Sequence, residues 1–137
     1  MSTRYQLQRV ALACEAATQG SWDLDRQIAQ ALGEPYGAQD VSSGGISYDV
    51  YMEKAARYTT NLNVSKQLIP KGWRLNVLGE WDDEQLRAKG AWQAILVQAG
   101  KADSFGSVWG NARCDHAHTA ELALITAVLR ARARLVE

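Results

Sequence analysis

The densest run of groups able to bind a metal or attack a substrate is Cys114-Asp115-His116-Ala117-His118, followed by Glu121. On a strand, side chains two residues apart share a face, so Cys114, His116 and His118 would point the same way. Two imidazoles so placed could begin a zinc site, and a thiol beside an imidazole near a helix N-terminus is a Cys/His nucleophile pair. Yet no Cys-x-x-Cys or His-Glu-x-x-His pattern completes a metal set, and no oxyanion-hole sequence accompanies the thiol. The preferred reading is a polar strand-to-helix connection in which His118 or Thr119 caps the next helix, with no metal ligand and no catalytic residue assigned.

Tryptophan and arginine are the other chemistry-bearing groups. Of five tryptophans, Trp73, Trp81, Trp92 and Trp109 fall in or beside the segments that read as strands, and Trp22 does not. Indole faces stack on bases, but a small sheet under helices also needs bulk. Most are assigned to the core, with Trp109, flanked by Gly106 and Gly110, the best candidate for a pocket. Arg130, Arg132 and Arg134 complement a helix dipole, and their plain reading is a solvated helix end. Arg130 and Arg134 share a face and could grip a phosphate, with Arg113 and Arg74 joining if the fold brings them there. Neither standard glycine-rich phosphate loop occurs, which disfavours a nucleoside triphosphatase.

The elements that must position these groups follow from periodicity. Residues 3–18 carry Leu7, Val10, Ala11, Cys14 and Ala17 at helical spacing, and Gly20 ends that helix. A second helix begins at the cap Ser21, carries Leu24, Ile28 and Ala31, and stops at Gly33. Residues 34–50, with Gly37, Gly44 and Gly45, read as a long loop and a candidate lid. A helical turn over Met52 to Arg57 and a short helix capped by Thr60 or Asn61 precede Pro70. Alternation from Trp73 to Trp81 predicts a strand, Ala91 to Ala99 a second, and Phe105 to Ala112 a third, joined as an antiparallel meander. The last helix runs from Thr119 to about Leu135.

The 137 residues hold 15 Lys+Arg against 15 Asp+Glu and are 47% hydrophobic, which excludes disorder and predicts one globular domain over 1–137. Neither half has the basic excess that drives duplex nucleic-acid binding. No apolar stretch approaches the roughly 20 residues of a membrane span, and the N-terminus lacks a signal-peptide core. A cytoplasmic protein with free thiols at Cys14 and Cys114 is expected.

Four segments in this order carry a further signal: Leu24 to Gly33, Tyr58-Thr59-Thr60-Asn61-Leu62, Leu68-Ile69-Pro70-Lys71-Gly72-Trp73, and His118 to Leu124 before an Ala/Arg-rich helix. Together they resemble the phage ABA sandwich domain family of small phage and prophage proteins. The resemblance implies an α+β fold: an α/β/α sandwich with helices on both faces of a small antiparallel sheet of about three strands. It implies no settled activity.

The residues and the resemblance together set an expectation of a small phage-encoded, non-enzymatic binding protein without a cofactor. It would act in counter-defence, as a homo-oligomer in the host cytoplasm, sequestering a nucleotide-derived immune signal. Trp109 or Trp73 would stack on a base, Arg113 and Arg130 would meet phosphate, and Tyr58, Thr59 or His118 would orient the ligand. The alternative is an inhibitor or accessory protein docking on a host protein through an aromatic patch and the acidic run Glu80 to Glu84. A Cys114/His116/His118 hydrolase is the third reading.

Overall fold

The computed structural model describes residues 3–33, 56–98 and 111–136. The expected 34–50 loop, the position of Trp109, most of the turn at Met52 to Arg57 and the segment from Phe105 to Gly110 lie outside these residues. The elements in chain order are α1 (Arg4–Ala16), α2 (Trp22–Leu32), α3 (Leu62–Gln67), β1 (Trp73–Glu80), α4 (Glu84–Arg87), β2 (Trp92–Gln98), β3 (Asn111–Ala117) and α5 (Ala120–Leu135).

Local chemistry fixes the helix ends. Thr3 forms a capping box for α1: its hydroxyl accepts from the Gln6 amide at 3.1 Å, and Gln6 Oε1 accepts from the Thr3 amide at 3.0 Å. The hydroxyls of Ser21 and Thr119 cap α2 and α5 by accepting from Leu24 and Leu122. Asn61, rather than Thr60, caps α3. Gly33 closes α2 at φ 76°, a left-handed conformation that favours glycine.

The three strands form one antiparallel sheet in the order β1-β2-β3, so the α+β class and the meander match expectation. Two features of the sheet differ from a plain alternation. In β1 the register slips between Leu75 and Val77, placing one extra residue, Asn76, in the strand. Trp73 and Leu75 point to the core before the slip, and Leu78 packs there after it, so Val77 falls to the other face. The third strand is described over Asn111–Ala117, so it runs on past the predicted end at Ala112, and it too carries an irregularity, between the partners of Trp92 and Ala94.

The core forms where α5 lies across the sheet. Leu122, Leu124, Ile125, Val128 and Leu129 are fully buried against Leu96, Ala94 and Ala112. Helix α1 packs along α5 and touches β3, α2 packs on α1, and α3 packs on α5. Val77, Ile95 and Val97 on the opposite sheet face stand outside the core cluster, and a helical layer over that face is not found among the described residues.

A buried polar knot holds α2 to the turn at residues 58–60. The Asp25 carboxylate accepts from the Thr59 amide at 2.8 Å and the Thr59 hydroxyl at 2.7 Å, while Thr59 Oγ1 accepts from the Ser21 amide at 3.0 Å. Ser65 donates to the Tyr58 carbonyl at 2.9 Å. Gly20 sits directly against the Thr59 backbone, and a Cβ there would overlap its carbonyl. Gly20→Ala is therefore expected to lower stability by about 1–3 kcal/mol, the usual cost of overpacking, measurable by urea unfolding.

Candidate functional site

Among the described residues β3 is an edge strand of the sheet, and its outward backbone groups need partners. They find them in side chains. Arg130 Nη1 of α5 donates to the Arg113 carbonyl at 3.0 Å, and Glu15 Oε2 of α1 accepts from the Asp115 amide at 3.3 Å. Arg130 Nη2 and Glu15 Oε1 meet at 2.8 Å, closing the ring. An acceptor and a donor two residues apart on one strand edge are what a neighbouring strand would engage; here an ion pair from two helices takes that place.

Beside this clip lies a groove of about 570 Å³ lined by Gln8, Leu12, Arg113, Asp115, Arg130 and Arg134, with Asn111 and Ala112 of β3 at its floor. Arg113 and Arg130, predicted as phosphate contacts, are brought together although 17 residues separate them in sequence. Arg113 also pairs with Asp115, Nε to Oδ1 at 2.8 Å. Leu12 is 61% exposed and gives the groove an apolar wall. Arg130, Arg132 and Arg134 are thus more than a solvated helix end, since Arg132 Nε donates to the Leu68 carbonyl at 2.8 Å and ties α5 to the end of α3. A second groove of about 530 Å³ between α1 and α2 is rimmed by Gln6, Gln27, Gln30 and Arg9. It holds a single arginine where the β3 groove holds three.

The other predicted ligand contacts sit elsewhere. Trp73, Tyr58 and Thr59 are buried in the core, and Thr59 spends its amide and hydroxyl on Asp25 and Ser21. His118 is exposed in the connection between β3 and α5, and Thr119 is the residue that caps the helix. None of the four lines the groove. Among those that do, sequence reasoning missed Gln8, Leu12 and Asp115 as ligand contacts; it also missed Glu15, which bonds Arg130 beside the groove and in the chain reads only as a polar face of a helix.

The Cys/His constellation is taken apart by the irregularity in β3. Cys114 pairs with Ala94 and Ala117 with Trp92, so β3 advances three residues where β2 advances two. The added residue reverses the alternation. Cys114 and Ala117 face the core, whereas His116 is half-buried and stacks on Trp81 at 5.5 Å, its Nδ1 donating to the Gly90 carbonyl at 3.2 Å. Burial, the Glu15 charge and the bond to Glu15 push the Cys114 thiol up to about 12; burial and Asp25 do the same for Cys14. A thiol in that state is no nucleophile at neutral pH. Among the described residues no three metal-capable side chains come together, and no helix is long and apolar enough to cross a membrane.

The acidic run is largely engaged at home: Glu80 pairs with Arg87 at 3.1 Å, and Asp83 caps α4. Among the described residues the exposed large apolar side chains are Tyr5, Leu12, Trp22 and Leu135, with Arg26 over the Trp22 ring.

Comparison with known protein families, curated proteins and solved structures finds no match for this chain. The family resemblance rests on its sequence motifs alone.

Two outcomes follow. Neither cysteine should react with a thiol reagent in the native state, and both should react on unfolding, as counted by mass spectrometry. The second concerns pH. Burial raises the Glu15 pKa, but the Arg130 bond and charge, with the Cys114 and Asp115 bonds, outweigh it and leave it below the ordinary 4.5. A depressed carboxylate contributes stability that is present above 4.5 and lost as pH falls through its folded value. Asp25 acts in the opposite sense: burial outweighs its Thr59 bonds and the Arg57 charge and raises it above 3.8. Its contribution is present below 3.8 and lost as pH rises through its folded value. Glu15→Gln should flatten the acid loss of stability in unfolding curves below about pH 4.5, and Asp25→Asn should steepen it.

Proposed function

We propose that this protein is a binding module for a small phosphate-bearing, nucleotide-like ligand, held in the groove on the β3 edge without chemical turnover. The observation that carries the reading is the convergence of Arg113, Arg130 and Arg134 on one groove, with the Gln8 amide and the Leu12 wall beside them. Guanidinium groups match phosphate oxygens in geometry as well as charge, and an apolar wall gives a base or sugar a surface to lie against. Taken with the phage resemblance, the proposed role is sequestration of a nucleotide-derived host signal, for which affinity alone suffices.

The test is titration of the protein with a nucleoside monophosphate, followed by calorimetry and backbone amide shifts. Shifts confined to Gln8, Leu12 and residues 111–115 would support the reading. Arg113→Ala and Arg134→Ala should each weaken binding about tenfold or more, the loss expected for one charge-assisted hydrogen bond, with the thermal midpoint little changed. Shifts gathered at the α1–α2 groove, or none at all, would contradict it.

A further inference from the structure

We infer that the groove on the β3 edge reads an adenine base, and that the carboxamides of Gln8 and Asn111 are the groups that read it. The inference rests on the nucleotide-binding reading above and names the base that its ligand carries.

Gln8 and Asn111 line the groove from different walls, one on α1 and the other on β3. No bond ties either carboxamide to another described residue. Two glutamines of the α1–α2 groove differ in this respect: Gln6 Oε1 accepts from the Thr3 amide at 3.0 Å, and Gln27 Nε2 donates to Asp23 at 2.8 Å. Gln8 stands one turn before the exposed Leu12 on the same face of α1, so a flat ring lying against Leu12 has its edge beside the Gln8 amide. Asn111 and Arg113 are two residues apart on β3, about 6.6 Å by the rise of a strand, which separates a base contact from a phosphate contact.

A carboxamide offers one donor and one acceptor side by side. Adenine matches this on two edges, because its amino group carries one hydrogen beside N7 and another beside N1, so two carboxamides can each make a paired contact. Guanine shows two adjacent acceptors, O6 and N7, on the first of those edges and leaves the carboxamide oxygen without a donor. Cytosine has a single edge of this kind, and the group that accepts from its amino group is a carboxylate. The carboxylate that lines this groove, Asp115, is held by Arg113 at 2.8 Å. A polar group left unmatched costs the wrong ligand its affinity, which is how two carboxamides select a base.

The probes are the 5′-monophosphates of adenosine, guanosine and cytidine, and ribose 5-phosphate, titrated at one ionic strength and read by calorimetry and by the side-chain amide signals of Gln8 and Asn111. The adenosine nucleotide should bind about tenfold or more tighter than each of the others and shift both side-chain amides, the size expected of one good paired base contact. Gln8 is exposed on a helix, where alanine is a favoured residue, so Gln8→Ala keeps the fold. That variant should weaken adenosine monophosphate about three- to tenfold and leave ribose 5-phosphate within about twofold of its native affinity. Asn111→Ala should behave alike. Binding of the four probes within about threefold of one another, tighter binding of guanosine or cytidine monophosphate, or an equal loss of ribose 5-phosphate in Gln8→Ala would overturn the adenine reading while leaving the anion site standing. Failure of all four probes to shift Gln8, Leu12 or residues 111–115 would overturn both.

Discussion

The edge that β3 forms among the described residues is the constraint around which they are arranged. A strand edge with unpaired amides and carbonyls is either covered or left to pair with another chain. Here Glu15 and Arg130, 115 residues apart, meet on it and satisfy one carbonyl and one amide. The same contact fixes α1 against α5 and sets the direction of the Arg130 side chain, and so defines one wall of the groove. It is reinforced at the far end of the helix pair, where Arg4 Nε and Nη2 donate to the carbonyl of Val136 and Nε also to that of Ala133 at the α5 terminus. The pair is 30% and 23% exposed, between the surface regime where ion pairs contribute up to about 1 kcal/mol and the buried one where losing a partner costs about 3–5 kcal/mol.

The motifs that carried the family resemblance do mainly structural work among the described residues. Asp25, Tyr58 and Thr59 build the knot between α2 and the turn before α3. Their polar atoms are spent within the fold, which is why residues that looked suited to orient a ligand do not reach the groove. Acceptors and donors placed at fixed spacing serve folding and binding equally well in a linear sequence, and burial decides which.

What was legible in the sequence was local. Helical spacing, the caps Ser21 and Thr119, the stop at Gly33 and the alternation from Trp73 each depend on neighbours in the chain, and the structure has them where that chemistry puts them. The Thr3–Gln6 capping box was equally readable, since Thr-x-x-Gln is its signature. The bulge at Asn76 and the irregularity in β3 were not, because an extra residue in one strand is defined only by its partner strand. The β3 irregularity mattered most: strict alternation placed Cys114 and His116 on one face, and the added residue separates them. The convergence of Arg113 with Arg130 was legible as a candidate pair, but Glu15, the residue that brings Arg130 there, lies too far away in sequence for any pattern to reveal it.

Backbone amide exchange at Asp115 tests this account most directly. If the Glu15–Arg130 pair closes the β3 edge, the Asp115 amide exchanges slowly in the native protein. Glu15→Ala should then release it to near the unprotected rate while Leu96, in the central strand, keeps its protection. An Asp115 amide that exchanges freely in the native protein, or one whose protection survives Glu15→Ala, would contradict the closed edge and with it the origin of the groove.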